Sequence, residues 1–236
     1  MKRLPALRIA LLMAGLLCRA DPAHGQSFGA PCPAAPEAPA VTAGFTNNPP
    51  KYDLDLTSAQ LGRFHISTKV SKSPRETFRT GGLTSSLYKP GYNVRYMTMD
   101  NPNTGMSCLY INRIDVSVSF SPTVYIAHEF KPGSCRYTDT MRHEQRHVDT
   151  TVITIKEYMP KLKADAQRAA RAYAVTGPFP TAQAAAMQHK MTENIRQTLA
   201  PDIEELDKVH FQRQQAIDTR REYLRATRAC PNEPLP

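Results

Sequence analysis

The chain has 236 residues, of which 41 % are hydrophobic and 22 % charged, with 20 prolines and no tryptophan. That composition is globular, and it excludes a collagen, a coiled-coil rod, a polytopic membrane protein and a wholly disordered chain. The net charge of +9 is spread along the chain, without the basic block interleaved with aromatics that nucleic acid would call for, so no nucleic-acid partner is expected.

Residues 1–25 read as a secretory signal peptide: basic MKRLPALR, the nine apolar residues IALLMAGLL, then a small-residue exit ending in Ala23-His24-Gly25. Cleavage there starts the mature chain at Gln26, with Ala20 a second candidate. Cys18 offers a lipoprotein alternative, which the bulky Leu16 and Leu17 before it oppose. The apolar run falls short of the ~20 residues of a membrane span, and no later segment is longer and as apolar. An exported protein is therefore expected, periplasmic or secreted, with no integral membrane segment once the signal is removed. Losing Lys2, Arg3, Arg8, Arg19 and Asp21 takes the charge from +9 to +6, a modest excess suited to an anionic cell envelope.

Residues 26–50, with PCPAAPEAPA and NNPP, read as a Pro/Ala-rich leader ahead of a single domain over 51–230. The alternating run 52–56 predicts a short strand, and 57–64 a short helix capped by Thr57 or Ser58. A turn at Pro90-Gly91 leads into another strand. The runs IDVSVSF and TVYIAHEF alternate on either side of Ser121-Pro122 and predict a hairpin. Four cysteines remain after cleavage, an even number that predicts two disulfides in an exported protein. The hairpin's symmetry sets Cys108 opposite Cys135 and leaves Cys32 for Cys230; no pair has the CxxC spacing of structural zinc.

Helical periodicity then runs from about Tyr137 to Val175, with Thr138 or Asp139 as N-cap and Pro160 as a kink. GPFP at 177–180 breaks it, and a second helical region spans Thr181 to Ala229, interrupted near Pro201. There is no internal repeat. The expected fold class is α+β: an antiparallel sheet from the first half packed on long helices from the second.

Residues 143–147 read HEQRH, a match to HExxH. On a helix, positions i and i+4 share a face, so His143 and His147 can hold one metal ion, with Glu144 beside it as general base for a zinc-activated water. Chance alone places this pattern in roughly 1 % of chains of this composition, so its context carries the weight. The motif opens an amphipathic helix with an apolar stripe of Met141, Val148, Val152, Ile155, Met159 and Leu162. Glu144 lies near that stripe, where a charge without a buried partner is costly and a metal site accounts for it. A third ligand is needed. Ile203, His210, Ile217 and Leu224 recur every seven residues, which puts His210 in an apolar seam and makes it the expected ligand, with Asp207 as a partner for its other nitrogen. Glu193, Glu204, Glu222 and Asp218 are alternatives, and Asp149 is expected to orient a ligand or cap locally. Tyr223 and Arg221 are candidate donors to an oxyanion. The sequence holds no GxSxG, P-loop, GxGxxG or EF-hand pattern.

These pieces resemble a bacterial family of exported proteins predicted to be secreted zinc-dependent proteases of the HExxH, zincin-like type. The resemblance lies in Tyr52-Asp53-Leu54-Asp55-Leu56-Thr57, the stretch 82–96, Cys108, His143-Glu144-Gln145-Arg146-His147-Val148-Asp149, and Asp207 with His210 at altered spacing. Arg146 stands where the family favours glycine. The resemblance implies a zincin-like fold and a Zn²⁺ cofactor. The expected function is a zinc-dependent metallopeptidase acting on a peptide or cell-wall peptide. The alternatives are a non-catalytic cell-envelope protein that binds zinc or a partner, and a peptidoglycan amidase or endopeptidase.

Overall fold

The computed structural model describes residues 31–64 and 80–233. The signal-peptide reading, Cys18, Gln26 and His65 lie outside the described residues. The fold is mixed α and β, with sheets from the first half of the chain and long helices from the second. The strands are β1 (Ala40–Asn47), β2 (Lys51–Asp53), β3 (Gly82–Ser85), β4 (Tyr88–Asn101), β5 (Met106–Phe120), β6 (Thr123–Ile126) and β7 (Val175–Pro180). The helices are α1 (Ser58–Leu61), α2 (Cys135–Ala172), α3 (Ala184–Ile217) and α4 (Arg220–Ala229).

β5 is the centre of the larger sheet. Its inward residues Leu109, Ile111, Ile114, Val116, Val118 and Phe120 are buried. β4 runs antiparallel along its whole length on one edge; β1, parallel, and β7, antiparallel, share the other. A bulge at Asn112, between the pairs Arg95–Arg113 and Tyr96–Ile111, shifts the side-chain alternation by one. Ile111 and Ile114 therefore both face the core although an odd number of positions separates them. The register brings Val41, Ala43 and Phe45 of β1 alongside Ile114, Val116 and Val118 on the core side. β1 comes from the segment read as a leader: its alternate half-buried positions give it a sheet to pair with despite the Pro-rich flanks. Pro90 and Gly91 are not a turn but part of β4, an edge strand where proline's missing N–H costs no ladder bond.

The expected 114–130 hairpin is not formed. Both edges of β5 are already taken, so after Ser121-Pro122 the chain turns into a second, smaller sheet, where β6 sits between parallel β2 and antiparallel β3. The disulfide pairing changes with it. Cys32 bonds Cys108 and Cys135 bonds Cys230, in place of Cys108–Cys135 and Cys32–Cys230. Cys108 lies at the start of a 15-residue strand, far from the turn that was to bring Cys135 opposite it. Beside the Cys32–Cys108 bond, Pro33 accepts a 3.0 Å hydrogen bond from the Tyr110 hydroxyl. Gly177, at φ 130°, passes so close that a Cβ there would lie 3.0 Å from the Cys32 sulfur.

α2 starts at Cys135, with Ser134 rather than Thr138 or Asp139 as its N-cap, and runs through Pro160 without ending. Its face Val148, Ile155, Leu162, Ala166 and Ala169 packs on the larger sheet and on Met191, Ile195, Leu199 and Leu206 of α3. Pro201 likewise sits inside α3. GPFP, expected as a breaker, ends as strand β7. No helix among the described residues is long and apolar enough to cross a membrane.

α4 is locked to the start of α2. Buried Arg136 donates to the carbonyls of Ala226, Thr227, Cys230 and Glu233 at the end of α4. In return the Glu233 carboxylate accepts the backbone N–H groups of Cys135 and Arg136, both at 2.9 Å, where the positive end of the α2 dipole lies. Cys135–Cys230 closes the same junction. Replacing both of these cysteines with serine is expected to cost about 2–5 kcal/mol, read as a lowered urea midpoint.

Candidate metal centre

α2 carries His143, Glu144 and His147 on neighbouring positions of one face, as the i, i+4 spacing requires. The break between α3 and α4 supplies the rest. α3 ends at Ile217, and Thr219 caps α4 by accepting the Glu222 N–H. Asp218, caught between the two helices, turns its carboxylate onto the two imidazoles. Its Oδ1 lies 3.0 Å from His143 Nε2 and 3.2 Å from His147 Nε2, and the two Nε2 atoms are 3.2 Å apart. These residues form a buried group that could hold a metal ion. The side chains are 15 %, 9 % and 9 % exposed for His143, His147 and Asp218. Ligand atoms about 2.0–2.1 Å from a tetrahedral zinc stand about 3.3 Å from one another, and two imidazoles with one carboxylate are a usual catalytic donor set. The spacing and the chemistry of the three groups fit.

His210, expected as third ligand, is not in this group. Its Nε2 lies 3.0 Å from the Thr151 hydroxyl, and its ring meets Tyr88 edge-on. Burial lowers its pKa, which keeps the ring neutral. Asp207 accepts a hydrogen bond from the Tyr88 hydroxyl, and Asp149 accepts one from Gln145; neither orients a residue of the cluster. Glu193 pairs with Arg196 at the surface. The side chain that meets the His147 Nδ1 is Gln214, a residue the sequence reading passed over.

Glu144 lies in the same cleft and is 4 % exposed. The Thr84 hydroxyl donates to its Oε2 at 2.8 Å. Burial raises its pKa, against the opposing pull of His143, His147 and Thr84. For Asp218 the balance reverses: burial resists ionisation, but the two histidines hold its carboxyl well below the usual range. Glu222 closes the outer side of His143. Its Oε1 is 3.5 Å from His143 Nδ1, and Arg146 and Arg225 bind it, which brings its pKa down to about 2 against the cost of burial. Arg146 thus serves as partner to Glu222, and Arg225 extends the chain of charges to Asp139. Tyr223 lines the cleft with its ring 6.5 Å from that of His143; burial raises its pKa, so the phenol stays protonated. Arg221 is exposed and not part of the lining.

The cleft encloses about 600 Å³, with β3 along one wall and Phe64, Leu87 and Phe211 among its apolar lining. β3 comes unusually close to α2. A Cβ on Gly82 would lie 2.7 Å from Glu144 Oε1 and 2.6 Å from Thr140 Cγ2, so this strand can flank the HExxH turn only with no side chain there. Gly82→Ala is expected to push Glu144 from its place and to cost about 1–3 kcal/mol, measured as a fall in thermal midpoint. Comparison with protein-family models, characterised proteins and solved structures finds no match to this chain.

Proposed function

We propose that this chain is a zinc-dependent metallopeptidase that works outside the cytoplasm. The observation that carries the reading is a buried glutamate, Glu144, sharing one cleft with a group of two histidines and an aspartate suited to zinc. His143, His147 and Asp218 would hold the ion. When bound, zinc supplies Lewis acidity, polarising a peptide carbonyl and making water a nucleophile near neutral pH.

The chain's own groups do the rest. Glu144, with its pKa raised by burial, is matched to accept a proton from water at Oε1 or Oε2 and to return it to the departing amine nitrogen. Thr84 fixes the carboxylate by donating to Oε2. Tyr223, which lines the cleft near His143 and whose phenol burial keeps protonated, would donate to the developing oxyanion. β3 is an edge strand of the small sheet, so an extended peptide can add to it by backbone hydrogen bonds, and the apolar lining favours bulky apolar side chains in that peptide. The two disulfides favour an oxidising compartment.

The test is metal analysis and substrate cleavage on protein purified from an oxidising compartment. One zinc per chain, with cleavage of peptides at bulky apolar residues, is the expected result. Cleavage of cell-wall peptides alone would narrow the substrate to peptidoglycan. Zinc without hydrolysis of either would overturn the catalytic reading.

A further inference from the structure

We propose that Gln214 is a positioning residue for the metal, and that through it the backbone carbonyl of His147 decides which ring nitrogen His147 presents. The inference rests on the metal site proposed above, though not on catalysis. Gln214 is buried, and its side-chain amide is surrounded. The amide nitrogen Nε2 donates to the His147 carbonyl at 3.1 Å and to the Thr151 hydroxyl oxygen at 3.0 Å, and it lies 3.3 Å from His210 Nε2. The amide oxygen Oε1 faces His147 Nδ1 at 2.5 Å.

Only one orientation of the amide is compatible with these neighbours. A carbonyl can only accept, so the group opposite the His147 carbonyl must be the NH₂. Turned over, the amide would set its oxygen against the His147 carbonyl oxygen and the Thr151 hydroxyl oxygen, whose hydrogen is already given to that carbonyl. With the NH₂ fixed, Oε1 must face Nδ1, and an acceptor there requires Nδ1 to carry the hydrogen. The lone pair of His147 then belongs to Nε2, the nitrogen beside His143 Nε2 and Asp218 Oδ1. Thr151 completes the lock. The Thr151 hydroxyl donates to the His147 carbonyl at 3.0 Å, so its oxygen faces Gln214 as an acceptor and calls for the NH₂ there, with His210 Nε2 3.0 Å from the same oxygen. Thr151 accordingly serves the metal at one remove, by accepting from the amide that holds the ligand. A partner on a ligand's second nitrogen fixes tautomer and ring orientation, and its loss commonly weakens metal binding by about 10–100-fold.

The test compares zinc affinity by chelator competition in the wild type, Gln214→Met and Gln214→Glu, with the ring N–H signals of the zinc-loaded proteins followed by ¹⁵N-edited NMR. Methionine keeps the volume and loses the acceptor; glutamate keeps the acceptor and loses the donors. The expected result is a loss of about 10–100-fold in Gln214→Met, with the His147 Nδ1–H signal no longer protected from exchange. Gln214→Glu keeps its affinity within about threefold even though its thermal midpoint falls, because the acceptor opposite Nδ1 remains. Gln214→Met at wild-type affinity, or Gln214→Glu as weak as Gln214→Met, overturns the proposal. Wild-type protein that takes up no zinc overturns both this proposal and the metallopeptidase reading. Wild-type protein that binds zinc but cleaves nothing removes only the latter, and the affinity ratios still decide the role of Gln214.

Discussion

Replacing Glu144 with glutamine is expected to lower peptide hydrolysis by about 10²–10⁴-fold while leaving one zinc per chain. The amide preserves the shape of the side chain, and its oxygen can still accept from Thr84, so the cleft keeps its form. What disappears is the capacity to take up a proton and hand it on. Under the proposed mechanism the loss falls on kcat, because the glutamate acts only after substrate and metal are in place. Glu144→Gln also has a signature in stability, which follows from burial of the carboxylate. The folded-state pKa of Glu144 lies above its unfolded value near 4.5, so its contribution is fully present below that pH and is lost as pH rises through the folded pKa. The neutral amide escapes that loss. Metal-free Glu144→Gln should therefore be more stable than metal-free wild type at neutral pH, with the difference shrinking toward pH 4. Full hydrolytic activity in this variant would remove Glu144 from the mechanism.

The HExxH half of the site was legible because a helix carries its own ruler. His143, Glu144 and His147 lie within five consecutive residues, and helical geometry alone puts them on one face. The other half depends on where α3 stops. Reading 181–229 as helix interrupted near Pro201 kept the seven-residue seam running through His210 and made it the expected ligand. The pattern Thr219-Arg220-Arg221-Glu222 is a capping signature, and it marks a helix start that frees Asp218 from the preceding helix. His210 and Gln214 lie one turn apart on one face of the end of α3, and Asp218 follows four residues on, just past the last helical residue. The seam was found one and two turns too early: the residues that reach α2's histidines are the second and third of that series.

The strand errors share one cause. Alternation shows that a segment lies on a half-buried sheet, but not which strand it pairs with. IDVSVSF and TVYIAHEF alternate as a hairpin would, and only the occupation of both edges of β5, by β4 on one side and by β1 and β7 on the other, sends β6 to another sheet. β7 is contributed from beyond α2, some 70 residues later, and no local signal announces it. The disulfide pairing, inferred from the hairpin, failed with it.

Zinc is expected to raise the thermal midpoint, and the rise should grow with pH. At a hundredfold excess over its dissociation constant a ligand specific to the folded state adds about 2.7 kcal/mol, or about 5–10 °C for a chain of this size. The pH dependence comes from the groups that must give up protons. Burial works against the charged ring of His147, but Asp218 beside it prevails and raises its pKa above the usual value near 6.5. A raised pKa means that the His147 contribution to metal-free stability is fully present below about 6.5 and is lost as pH rises through the folded value. Glu144 adds a loss of the same sign over a range beginning lower. Asp218, with its pKa depressed, contributes above its ordinary value near 3.8 and fails only when strongly acidified. From about pH 5 upward the metal-free protein should thus lose stability, while zinc, which competes with the proton on His147, binds more tightly. The two trends diverge, so the zinc-induced shift should be small at pH 5.5 and largest at pH 8 and above. Asp218→Ala should abolish the shift and the bound zinc, as His143→Ala should, whereas His210→Ala should retain one zinc per chain. A shift that survives in Asp218→Ala but vanishes in His210→Ala would return the third ligand to His210.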